Sequence, residues 1–193
     1  MKNQTDPASE NKGNASSKLR INKRTRFIAL VAILGAQALV LSYLENLIPA
    51  IPGLPPGAKP GFSNIVTMFA ASSIGFSGAI SVTVIKSVFA GITRGATAFF
   101  MSACGGILST IVMVLLLKIK NNPFGIIGIS ILSAIAHNAG QLAVACIMSG
   151  TPALLWGYGP LLLIFAVVTG SVTGILLRVV LPALEKQAKM IGM

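Results

Sequence analysis

The chain has 193 residues, 54% of them hydrophobic and only 10% charged, with a mean hydropathy of +0.83, whereas an ordinary soluble domain is about a quarter charged. That composition excludes a soluble globular fold and points to an all-α integral membrane protein whose helices use the bilayer as solvent. Fifteen Lys and Arg against four Asp and Glu give a formal charge of +11; in such a protein the excess holds loops on the cytoplasmic side and favours anionic headgroups, so no nucleic-acid partner is needed to explain it.

Residues 1–17 are rich in Asn, Ser and Lys and too poor in apolar groups to order themselves, and a basic run from Lys18 to Arg26 follows. Residues 1–25 therefore read as a flexible basic cytoplasmic tail. The apolar run from Phe27 outwardly resembles a signal peptide, but it is too long and no small-x-small cleavage site follows. It is expected to stay attached as a first transmembrane helix over 27–45. Within it Ala32 and Ala36 flank Ile33-Leu34-Gly35. Small residues at i and i+4 let another helix approach closely, although such spacing also arises by chance.

Glu45 ends this helix and is the only acidic residue near the membrane region, since Asp6 and Glu10 lie in the tail and Glu185 follows the last helix. A carboxylate at a helix C-terminus opposes the dipole, so it either faces interfacial water or sits in a site with Lys59, Lys86 or Arg94. The next segment, 46–61, holds five of the chain's ten prolines (Pro49, Pro52, Pro55, Pro56 and Pro60) together with Gly53, Gly57 and Gly61. Proline fixes φ and glycine supplies the conformations proline lacks, giving a shaped outer loop. Its apolar residues leave two readings, a lid folded over the bundle or a simple connection.

The stretch from Phe62 to Ile92 is too long for one ordinary span and short for two, and Gly75-Phe76-Ser77-Gly78 at its middle could turn the chain or bend a single helix. Charge separates the alternatives. Six spans leave twelve Lys and Arg on the cytoplasmic side and only Lys59 and Arg94 outside, whereas five give eight and six; the positive-inside bias favours six, with both termini cytoplasmic. Helices at 62–76 and 79–93 would each measure roughly 22 Å against a hydrocarbon core of roughly 30 Å. Elements that short leave polar groups at intermediate depth, tolerated where they are packed in protein or line a cavity. Further spans are expected at 96–117, 123–148 and 158–181, completing a transmembrane domain over 26–182 and leaving 183–193 as a short cytoplasmic tail. No internal repeat is evident.

Lys86 lies inside the third apolar segment and Arg94 two turns later at its end. A cation at the bilayer centre costs about 2.5 to 3.5 kcal/mol on insertion scales, so it faces a cavity or a partner unless its stem carries it to the headgroups. Lys59, Lys86 and Arg94 share the outer half with the single carboxylate of Glu45, a positive surplus that suits an anionic ligand. Asn64, opening the second helix, offers an amide beside free backbone N–H groups. His137, Asn138 and Gln141 share a face of the fifth segment, as interhelical glue or as ligand contacts. Cys104 and Cys146 sit in apolar stretches without metal or redox spacing and read as core residues. No metal-binding, cofactor-binding or catalytic constellation is present in the sequence.

Glu45, Pro49 and the run Pro56-Gly57-Ala58-Lys59-Pro60-Gly61-Phe62-Ser63-Asn64, followed by Ile65-Val66-Thr67, resemble the family called Gx transporters, also labelled heptaprenyl diphosphate synthase component I. The similarity runs from about Arg26 to about Leu181. The family's usual segment is Lys-Leu-Gly-Leu-Ala-Asn, from which Pro60, Phe62 and Ser63 depart. That family is in turn similar to the substrate-binding S components of energy-coupling factor (ECF) transporters. The resemblance implies a bundle of about six transmembrane helices in the cell membrane and a pocket opening outward beneath the first loop. It implies a small-molecule ligand, anionic or amphipathic, and partners in a transmembrane coupling subunit with two ATPases. Ala32 and Ala36 match the alanine pair by which S components dock. The chain has no GxxxxGK[ST] phosphate loop of its own. The alternative is a non-catalytic membrane component beside isoprenoid quinone synthesis, since prenyl transfer needs clustered aspartates around Mg²⁺ and the chain has only Asp6.

Overall fold

A computed structural model of the chain describes residues 23–47, 61–120 and 123–190 and is all-helical throughout them. The proline-rich loop with Lys59, and the N-terminal tail before Lys23, lie outside the described residues. Six helices follow in order: α1 (Lys23–Leu47), α2 (Ser63–Ser73), α3 (Phe76–Arg94), α4 (Ala96–Leu117), α5 (Gly125–Ser149) and α6 (Ala153–Met190). Five of them, all but α2, are long and apolar enough to cross a bilayer. The chain is a multi-pass membrane protein.

The pair expected to be equally short is unequal. α3 has 19 residues and α2 only 11, roughly 16 Å of helix. The break falls at Gly75, whose φ of +80° is a left-handed backbone open to glycine at little cost. Seven of the eleven α2 residues are buried, among them Val66, Thr67, Met68 and Phe69, and the helix packs against α1, α3, α4 and α6. A helix too short to span places its ends where lipid cannot satisfy them, so it is stable only with protein on every side.

α6 begins earlier and ends later than 158–181, carrying Pro160 and Pro182 inside it. The glycines and proline at 157–160 break helices in water, but in lipid the backbone has no competing solvent partner, and proline is tolerated. The remaining bounds fall within a few residues of the expected spans. One expectation fails: Cys104 is exposed on the outer face of α4, while Cys146 is only partly buried. An apolar run in a membrane helix does not distinguish the lipid side from the core, because hydrocarbon surrounds both.

The tightest packing lies along α3·α4, α4·α5 and α5·α6. At the α4–α5 crossing a Cβ added to Gly140 would lie 2.8 Å from Gly105 Cα, and at α5–α6 one added to Gly170 would lie 2.6 Å from Ile131 Cα. Between α3 and α4 the hydroxyls of Thr83 and Thr110 meet at 2.9 Å, both buried. Close backbone approach and hydroxyl contacts are what hold helices together where lipid removes the hydrophobic driving force.

Candidate functional site

The helices enclose a cavity of about 350 Å³ with walls from all six of them. Its size is that of a small-molecule pocket. Glu45, Asn64, Lys86, Arg94, His137, Asn138 and Gln141, scattered over ninety-seven positions of sequence, all line this one space. Lys59 lies outside the described residues.

Glu45 is 4% exposed at the end of α1. The Ser63 N–H donates to its Oε1 at 2.9 Å and the Ser63 hydroxyl to its Oε2 at 3.5 Å. Ser63 opens α2, so the carboxylate satisfies a free N–H of that helix and faces the positive end of its dipole. This answers the unfavourable dipole of α1: the charge lies against a second helix that favours it. Glu45 bonds directly to neither Lys86 nor Arg94 but anchors α2, which carries Asn64.

Lys86 lies midway along α3 and is half-buried, with its Nζ donating to Asn64 Oδ1 at 2.8 Å. That contact turns the ammonium toward α2 and the cavity. With its oxygen occupied, Asn64 retains its two N–H donors, so ammonium and amide together present donors to the cavity. Arg94, at the end of α3, is exposed and lines the rim.

On α5 the polar stripe divides. Asn138 Nδ2 donates to Leu162 O on α6 at 3.1 Å, an interhelical bond. Gln141 Nε2 and His137 Nε2 lie 3.0 Å apart; the amide nitrogen is a donor, so the imidazole nitrogen accepts. The buried Nδ1 has no hydrogen-bond partner among the described residues.

The sequence reading missed the hydroxyls. Ser130 and Ser133 extend the α5 stripe, and Ser102 and Ser109 of α4 and Thr169 and Thr173 of α6 face the same space. Positions 130, 133, 137 and 141 recur at three and four residues, a signal legible in the sequence once His137 is taken as the reference.

The family model for heptaprenyl diphosphate synthase component I matches residues 34–180. Among solved structures the chain is similar to the S component of a bacterial ECF transporter, with a TM-score of 0.67 at 20% identity over 86% of this chain and 99% of that one. No curated protein matches the sequence. The fold is that of an S component, as the resemblance in the first loop implied.

Proposed function

The chain belongs to the heptaprenyl diphosphate synthase component I family, and from that premise we propose that it is the membrane substrate-binding subunit of a small-molecule uptake transporter, taking an anionic ligand into the cavity between its helices. The observation that carries this reading is Lys86, a cation at mid-span turned into the cavity and bonded to a neutral amide. The only carboxylate among the described lining residues, Glu45, is engaged by the start of α2. A charge placed there is justified by a counter-charge that arrives with the ligand. Small molecules recovered with the detergent-solubilised protein and identified by mass spectrometry test this; anions are the expected class.

Binding, not catalysis, is the chemistry this wall supports. A prenyl diphosphate bound through Mg²⁺ needs several carboxylate oxygens together, and no cluster of three or more His, Cys, Asp or Glu occurs among the described residues. A chain of seven isoprene units also fits poorly in a compact space ringed by serine and threonine. Energy would come from partner ATPases through a coupling subunit that docks on α1, where Ala32 and Ala36 lie on the exposed face while Gly35 between them packs on Ile85. Replacing either alanine by leucine is expected to abolish uptake into cells and leave ligand affinity of the purified protein unchanged. Wild-type uptake by both variants would remove the docking surface.

The charge asymmetry places both termini in the cytoplasm and the 46–61 loop outside. In a chain with Cys104 and Cys146 replaced, a cysteine introduced at Leu54 should react with an impermeant thiol reagent added to intact cells, and one introduced near residue 10 should not. The reverse labelling would invert the topology.

A further inference from the structure

The donors of Asn64, Lys86 and Arg94 account for one part of the cavity wall; another part carries groups of the opposite hydrogen-bonding sense. Along α5 the lining runs from Gln141 through His137 and Ser133 to Ser130, roughly 16 Å of helix axis, so the space is elongated. The helix crossings set the levels. Gly105 meets His137 and Gln141, and Gly174 meets Ser130. Ser109, one turn beyond Gly105, and Thr173, beside Gly174, therefore face the end of the cavity marked by Ser130 and Ser133.

At that end Ser109 donates its hydroxyl proton to Gly106 O at 3.0 Å and Thr173 its proton to Thr169 O at 2.7 Å. A hydroxyl has one proton and two acceptor lone pairs, so both present lone pairs to the cavity. Ser133, 4% exposed, lines the same space, and its buried Oγ has no hydrogen-bond partner among the described residues. Buried hydroxyls are almost always bonded, and an orphan at a cavity wall points to a group that arrives with the occupant. A hydrocarbon tail would leave these atoms unsatisfied.

Resting on the anion-binding reading of this cavity, we infer that the ligand is a compact, elongated anion that carries O–H or N–H donors at the end away from its charge, in the class of hydroxylated carboxylates and sugar phosphates. Its negative group lies against Lys86 and the Asn64 amide. Its donors reach Ser133, Ser109 and Thr173. The same hydroxyls disfavour prenyl and acyl anions, which offer them no donor.

Isothermal titration of the full chain in nanodiscs tests this with gluconate and glucose 6-phosphate as hydroxylated anions, hexanoate as an apolar anion and sorbitol as a neutral polyol. At least one hydroxylated anion should bind about tenfold or more tighter than hexanoate and sorbitol, and Ser133→Ala should erase about fivefold to tenfold of that preference while leaving hexanoate affinity and the unfolding temperature unchanged. Hexanoate binding as tightly as the hydroxylated anions, or no binding by either of them, overturns the inference. If Lys86→Ala weakens every anion and Ser133→Ala changes nothing, the anion site survives and the donor-bearing class does not. If Lys86→Ala alters no affinity, both readings fall.

Discussion

Lys86→Ala is expected to weaken binding of the molecule recovered with the wild-type protein by at least about thirtyfold, the equivalent of about 2 kcal/mol. The size follows from where the charge is held. Lys86 lies about 12 Å along the helix axis from the rim residue Arg94, inside a cavity whose walls are protein and not water, and its Nζ is bonded to a neutral amide. Attraction between an ammonium and an anion there is screened far less than at a surface. Removing the ammonium also leaves the ligand's charge without its partner, which adds its own penalty. Arg94→Ala is the internal comparison. The guanidinium is exposed at the end of α3, where ion pairs contribute only about 0 to 1 kcal/mol, so its loss should stay within about fivefold. Calorimetric titration of wild type and both variants decides the order. Equal affinities for Lys86→Ala and wild type would move the anion site elsewhere.

Much of the cavity lining was legible in the sequence, and the reason is energetic. A lysine, a carboxylate and an amide in an apolar stretch cost so much in hydrocarbon that each implies a cavity or a partner, and six of the residues chosen on that ground, with Gln141, converge on one space. Serine and threonine carry no such signal, because a hydroxyl can satisfy itself on its own helix. Thr169, for example, donates to Phe165 O at 2.9 Å. Their role emerges only from which side faces the cavity. Helix count was readable from charge asymmetry, whereas the division of 62–92 into a short plug and a full span was not; burial on every side of α2 comes from the other helices. Glu45 shows both limits together. The sequence marked it as a charge in need of compensation, but the compensating group is the backbone of α2, which no side-chain pattern announces. Gly170 and Gly174 were readable as a small-xxx-small pair on the α6 face toward α5, a spacing as common by chance as that of Ala32 and Ala36.

Gly140→Ala should destabilise the protein by about 1 to 3 kcal/mol or more, through a single added methyl group. A Cβ there would lie 2.8 Å from Gly105 Cα, 3.0 Å from Gly105 N and 3.0 Å from Cys104 O, all backbone atoms that cannot rotate aside. α4 and α5 would have to separate. Dispersion contacts along that crossing fall off steeply with distance, and no hydrophobic gain compensates for them in lipid. Gly157 on α6 is the control, exposed and with nothing within 4 Å of an added Cβ. Alanine there keeps every contact and favours the helix by up to about 1 kcal/mol. The same substitution should therefore lower the unfolding temperature at position 140 and preserve or raise it at 157, as measured by thermal unfolding in one detergent. Gly105→Ala should resemble Gly140→Ala, since its Cβ would lie 2.7 Å from His137 O, and the double variant should cost less than the sum because both open one crossing. His137 and Gln141 ride on that crossing, so ligand affinity should fall alongside stability in both single variants. A Gly140→Ala protein as stable as wild type would mean that α4 and α5 are not held by this backbone contact, and the placement of the α5 side chains in the cavity would lose its support.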